Sequence, residues 1–241
     1  MMNWLTHFSN RPQLGLDQFK EERISRQEFG RIGYSIAQFQ RGESSEAKDY
    51  LEKSRWFSEE SGQADFLEVS RLFVKEENYH SHLLDTFMAQ MGIERLSESW
   101  ADDVFRWVRS WGDIGWCSRV LLTAEILAQV YYPALREATS SRMLHTICDR
   151  IIADEDLHIL FQTERIAFVL QHRSNLSRMV QSLAGWGLFW GTAVVVWFEH
   201  RCVLASSFSF LDYLKESFGR YQFAIARLNQ PMDRQATLSF E

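Results

Sequence analysis

Two short stretches of this chain repeat one another in chemistry and in helical spacing: Lys75-Glu76-Glu77-Asn78-Tyr79-His80 and Ala153-Asp154-Glu155-Asp156-Leu157-His158. Each contains Glu-x-x-His. Residues three apart share a face of an α-helix, so each stretch can direct one carboxylate and one imidazole at a common point, which is a metal-ligand arrangement. One such motif means little, because Glu is among the commonest residues. Two of them, each set in an apolar stripe, require a fold that brings two helices face to face.

The stripes themselves predict where the helices run. From Ser25, Phe29, Ile32, Ile36, Phe39, Glu43, Ala47 and Tyr50 fall on one face at spacings of three and four. After a polar break at Ser58-Glu59-Glu60-Ser61-Gly62, a second helix is expected from about Ala64 to Met91, stopped by Gly92. Its inner stripe is Phe66, Val69, Phe73, Glu77, His80, Leu84, Phe87 and Met91. A carboxylate inside such a face is costly to desolvate unless it is paired or binds a metal. A short helix is expected within residues 93 to 113, around Trp100, Trp107 and Trp111, to carry the chain across. The third main helix, about Ile114 to Thr139, has Glu125 among apolar neighbours with small Ala124 and Ala128 beside it, and Pro133 should kink it. The fourth, Ser140 to about His172, puts Leu144, Cys148, Ile151, Glu155, His158 and Gln162 on one face.

The two ends of the chain differ from this pattern. Residues 1 to 22 show no sustained period and include Pro12 and Gly15, so they read as an irregular surface arm without a motif. From Ser174 onward the chain is first apolar and aromatic, with an unbroken run from Gly185 to Phe198, then amphipathic from Phe208 to Leu228. Two extra helices are expected there. The 14-residue run is short of the roughly 20 residues needed to span a bilayer, so it reads as a helix packed on the others and shaping a closed apolar cavity, with no membrane span.

Composition sets the outer limits. A chain of 241 residues without a Pro/Gly/Ser-rich linker reads as a single domain, 1–241, and 46% hydrophobic with 24% charged residues is ample for a core. A net charge of -6 and the absence of a basic run argue against nucleic acid as a partner. Cys117, Cys148 and Cys202 form no Cys-x-x-Cys pair, which excludes a thiolate zinc, rubredoxin-type or iron-sulfur site and suits a reducing, cytoplasmic setting. No secretory signal is visible at the start.

Carboxylates and imidazoles at the centres of apolar stripes are Glu43, Glu77 with His80, Glu125, and Glu155 with His158. This order of Glu, Glu-x-x-His, Glu, Glu-x-x-His resembles the ferritin-like diiron-carboxylate superfamily, whose four-helix bundle carries that ligand pattern. The resemblance covers about residues 25–172. The intervals of 34, 48 and 30 residues between the four glutamates each allow a helix, a turn and a return, the longest fitting a crossover. It implies an all-α fold, a ferritin-like four-helix bundle with a crossover, followed by two additional helices within 174–230. Gly42-Glu43-Ser44 with Ala47 and Tyr50 also looks like the first-helix motif of rubrerythrin relatives, which favours Glu43 over Glu46 as a ligand. Read alone, Glu43 would also suit a solvated helix end. In this family an acidic residue before the Glu of Glu-x-x-His supports the histidine of the opposite helix. That implies Asp154 near His80 and Glu76 near His158, holding the second imidazole N–H. His82, His145, His172 and His200 have no carboxylate three residues before them and read as surface or structural residues.

What the resemblance implies about function is a non-haem diiron oxygenase or oxidase. It would hold two iron ions, or iron with manganese, through Glu43, Glu77, His80, Glu125, Glu155 and His158, with Glu77 and Glu155, or Glu125, bridging. The expected partners are O₂, a hydrophobic small-molecule substrate and an external electron donor such as a ferredoxin or reductase, in a monomer or homodimer. The alternatives are a ferroxidase or peroxidase like bacterioferritin or rubrerythrin, and a metal-binding bundle without turnover.

Overall fold

A computed structural model describes residues 3–44, 47–171 and 173–228, and among these the protein is all-α, with no strand. The helices are α1 (Trp4–Ser9), α2 (Arg26–Glu43), α3 (Lys48–Ser61), α4 (Asp65–Met91), α5 (Trp100–Ser110), α6 (Ile114–Glu137), α7 (Arg142–Gln171), α8 (Asn175–Glu199), α9 (Arg201–Leu204) and α10 (Phe210–Leu228). His172 and Glu46 lie outside the described residues.

Local chemistry sets several of the helix boundaries. Ser25 and Glu28 form a reciprocal capping box at the start of α2, satisfying two backbone N–H groups at once. Gly92 ends α4 in the left-handed conformation, φ 72°, where a Cβ would be strained, and the Ile93 N–H closes the turn onto Met88 O at 2.9 Å. Ser99, Asp113 and Ser174 cap α5, α6 and α8 with their side chains.

The centre of the molecule is α6, buried along nearly its whole length, with α7 packed against it most extensively. Helix α4 packs on α2, α3 and α7, and α2 meets α6 where Phe39 stacks on Tyr131 at 3.6 Å between ring centroids. Helices α2, α4, α6 and α7 thereby bring their polar mid-stripe positions to one level. Helices α8 and α10 cover α6 from the other side. Phe189 of α8 stacks on Tyr221 of α10, and the Tyr213 hydroxyl donates to Ala193 O at 3.1 Å. Burying a large apolar side chain such as Phe189 contributes about 1.5–3 kcal/mol, and Phe189, Ala193 and Trp197 form the inner stripe of α8.

Four expectations need correction. First, α2 stops at Glu43, and Ala47 has φ 47°, outside any right-handed helix, so Ala47 and Tyr50 do not continue its stripe. Tyr50 belongs to α3, a helix hidden from the periodicity because its composition is mostly polar, and Ser58–Ser61 is its last turn instead of a break. Second, Phe29 points outward. Third, the N-terminal arm is not featureless: it contains α1 and buries Trp4 and Phe8. The fourth difference concerns length. Helix α8 extends 25 residues, well beyond the Gly185–Phe198 run, and by length and mean hydropathy (1.4) it could cross a bilayer. Here its inner stripe packs on the protein, while Leu183, Trp190, Val194 and Phe198 are exposed.

Candidate metal centre

The two Glu-x-x-His motifs meet between α4 and α7. One ligand atom each from Glu77, His80, Glu155 and His158 lies within 4.8 Å of the other three. The imidazole centroids are 5.4 Å apart, and both rings are fully buried. Nδ1 of His158 is 2.9 Å from Glu77 Oε1, 3.5 Å from Glu155 Oε2 and 3.9 Å from Glu125 Oε2. Nδ1 of His80 is 3.6 Å from Glu155 Oε1 and 4.0 Å from Glu77 Oε1.

Glu125 enters from α6, and Glu43 from the last turn of α2, where it is both a helix end and buried. Its Oε1 accepts a hydrogen bond from the Tyr132 hydroxyl at 2.7 Å. All six residues with the expected pattern therefore converge on one place. Tyr132 was not singled out by the sequence, although it stands two helical turns after Glu125 on the same face of α6.

On the far side of each ring, Nε2 of His80 meets Asp154 Oδ2 at 3.0 Å and Nε2 of His158 meets Glu76 Oε2 at 2.9 Å. These pairs cross between α4 and α7. A carboxylate on Nε2 orients each ring, and in a neutral imidazole it holds the N–H there and leaves the Nδ1 lone pair facing the glutamates. The carboxylates are themselves covered by Arg11, which pairs with both, and by Arg150, whose Nε is 2.6 Å from Asp154 Oδ2. Neither arginine was expected from the sequence. Arg11 sits in a segment with no period, and its partner Glu76 is 65 residues away.

The electrostatics separate these groups. Burial, then the charges of Glu77 and Glu125, push Glu43 well above the ordinary carboxylate range. Burial and Glu125 push Glu77 up to about 7, and burial with Glu125 raises Glu155 strongly. Burial and the neighbouring His158 lower His80. Burial works to lower His158 too, but Glu77, Glu125, Glu155 and Glu76 around it carry it well above its usual value.

Two divalent cations fit this donor set. Nδ1 of both histidines, both oxygens of Glu155, and one oxygen each of Glu77 and Glu125 are buried without a hydrogen bond. A buried polar atom left without a hydrogen bond costs about 1–3 kcal/mol, so these six atoms together are a standing penalty for the metal-free protein. The formal charge of the four carboxylates equals that of two divalent ions, so loading would leave the site neutral. Oxygen and imidazole donors without thiolate suit iron or manganese.

The glutamates open onto a cavity of about 190 Å³. Glu43, Glu77 and Glu125, Ala124 and Ala128 of α6, and Val195 with Val196 of α8 are among the residues that line it. It exceeds the roughly 150 Å³ cavity known to admit benzene, so it accommodates a small ring or a short chain. The remaining histidines lie elsewhere: His145 Nε2 bonds Thr139 O at 3.0 Å, His200 Nδ1 bonds Ser35 Oγ at 2.9 Å, and His82 lies at the surface. Comparison of this chain with protein-family models, with curated proteins and with solved structures found no match.

Proposed function

We propose that this chain is a ferritin-like four-helix diiron-carboxylate protein, α2, α4, α6 and α7 forming the bundle, and that it oxidises an apolar or partly apolar small molecule with O₂. One observation carries the reading. Two imidazoles held at Nε2 present Nδ1 to Glu77, Glu125 and Glu155, each with a buried unsatisfied oxygen, and Glu43, Glu77 and Glu125 line a largely apolar cavity.

In this reading Glu43, Glu77, His80, Glu125, Glu155 and His158 hold two iron ions, or iron with manganese, which supply O₂ activation when an external donor such as a ferredoxin or reductase provides electrons. The chain's own residues do the rest. Glu76 and Asp154 keep each imidazole oriented. The Tyr132 hydroxyl holds Glu43 Oε1 in place. The burial of the ligand carboxylates and imidazoles strengthens the electrostatic contacts among them. Ala124 and Ala128 leave room for a substrate directly beside Glu125. A cytoplasmic chain, with α8 covering the cavity instead of crossing a membrane, goes with this proposal.

The test is O₂ uptake by the iron-loaded, chemically reduced full chain, with and without a supplied reductant. Repeated O₂ uptake sustained by reductant, and increased by an apolar additive that enters the cavity, supports the oxygenase or oxidase reading. Uptake that stops in fixed proportion to added ferrous iron would indicate a ferroxidase instead. Metal binding with no O₂ uptake would leave a non-catalytic bundle.

A further inference from the structure

We infer that Arg11, on the arm between α1 and α2, is a positioning residue for both imidazoles of the cluster, because its one guanidinium bridges the two carboxylates that hold them. Arg11 Nε is 2.6 Å from Glu76 Oε1, and its Nη2 pairs with Asp154 Oδ1. The second oxygen of each carboxylate takes an imidazole: Glu76 Oε2 takes His158 Nε2 and Asp154 Oδ2 takes His80 Nε2. A continuous line, His80–Asp154–Arg11–Glu76–His158, thus ties α4 to α7 behind the cluster.

The chemistry suits this task. A guanidinium is a planar fork that can engage two carboxylates in fixed directions, which an ammonium cannot. The Glu76 and Asp154 side chains are 5% and 1% exposed, so each needs a charged partner to remain ionised there. Arg150 helps, donating to Asp154 and, at 2.7 Å, to Pro12 O of the same arm. Two guanidiniums thus stand against the two carboxylates on this side.

The arm does not depend on Arg11 for its place. Trp4 Nε1 donates to Glu164 Oε2 at 2.7 Å, Phe8 packs on Phe73 and Phe161, and the Leu14 N–H donates to the Tyr79 hydroxyl. Replacing Arg11 should therefore remove the bridge and leave the arm docked.

This inference rests on the reading that the cluster binds metal. The experiment loads the full chain anaerobically with ferrous iron and measures ions per chain and affinity by chelator competition, for wild type, Arg11→Gln, Arg11→Lys and Trp4→Phe. Melting of each metal-free protein is followed in parallel. The expected result is a loss of about 10-fold or more in affinity for both ions in Arg11→Gln, the scale of losing an outer partner. Arg11→Lys should recover part of it. Trp4→Phe, which loosens the arm elsewhere, should keep wild-type affinity even if its melting temperature falls. Wild-type affinity in Arg11→Gln or in Arg11→Lys overturns the bridging role, and so does an equal loss in Trp4→Phe, which would make docking of the arm the cause. Wild-type protein that takes up no iron overturns the metal reading and this inference together, a result distinct from the others.

Discussion

On the Nε2 side of the imidazole pair carboxylate and cation balance: two carboxylates, two guanidiniums and two imidazoles close on one another. On the Nδ1 side, a few ångströms away, four carboxylates crowd together, and Glu77, Glu125 and Glu155 have buried oxygens without a hydrogen bond. Glu76 and Glu77 are neighbours in sequence and show the contrast directly. Against a burial that works to raise it, His158 and Arg11 hold Glu76 down at about 2, whereas burial and then Glu125 push Glu77 up to about 7. Both sides are buried, so burial is not the difference. One side sets carboxylates against guanidiniums, and the other sets carboxylates against one another.

The strongest way to break this contrast is to remove an imidazole. His80→Ala or His158→Ala should lower ferrous affinity by more than about 100-fold, beyond the usual cost of an outer partner. His82→Ala and His145→Ala, which touch neither side, should leave it unchanged in the same chelator competition. Next in size is Asp154→Asn, which keeps the shape and removes the charge behind His80. A loss of about 10–100-fold with unchanged helical content is expected, and equal affinity in mutant and parent would take Asp154 out of the site.

A pH dependence should follow with opposite consequences for empty and loaded protein. Glu77 is raised from 4.5 to about 7, and Glu43, Glu155 and His158 are raised as well. Protonation of such groups favours the fold, so the contribution of Glu77 is present in full below its ordinary value of 4.5 and is lost as the pH rises through about 7. The metal-free protein should melt several degrees lower at about pH 8.5 than at about pH 6.5, at roughly 2–4 °C per kcal/mol. Metal-loaded protein should lose less, because the ions replace the protons. Equal slopes in both forms would count against the carboxylate cluster as the source.

The smallest effect on the metal should come from filling the cavity. Ala128→Phe adds a ring beside Glu125 at a modest packing cost of about 1–3 kcal/mol. Metal content should stay at the parent value while binding of benzene, followed by NMR, disappears. Benzene binding that survives the substitution would show that the space beside Glu125 is not where small apolar molecules sit.

The cluster was legible in sequence because its residues obey helical spacing: Glu77 with His80 and Glu155 with His158 are one turn apart, and each sits in an apolar stripe. Asp154 and Glu76 were legible through the family resemblance, in which the acidic residue before the Glu of Glu-x-x-His supports the histidine of the opposite helix. Arg11 was not legible, since a contact between an aperiodic arm and α4 leaves no local trace. Helix α3 escaped because few of its residues, Tyr50, Ser54 and Phe57, face inward. The length of α8 was underestimated because its first turns carry polar residues that interrupt the apolar run without ending the helix. What reads from a sequence is what repeats along it, and both the brace behind the imidazoles and the extent of the cover are set by contacts between distant segments.

The central claim is that the open side of the imidazole pair is completed by two metal ions. Anomalous diffraction from crystals of the full chain, loaded anaerobically with ferrous iron, tests it most directly. The account predicts two peaks per chain between α4 and α7, each within bonding distance of one Nδ1, of His80 or of His158, and shared by Glu77, Glu125 or Glu155. No peak there after loading, or iron held only at surface carboxylates, would contradict it.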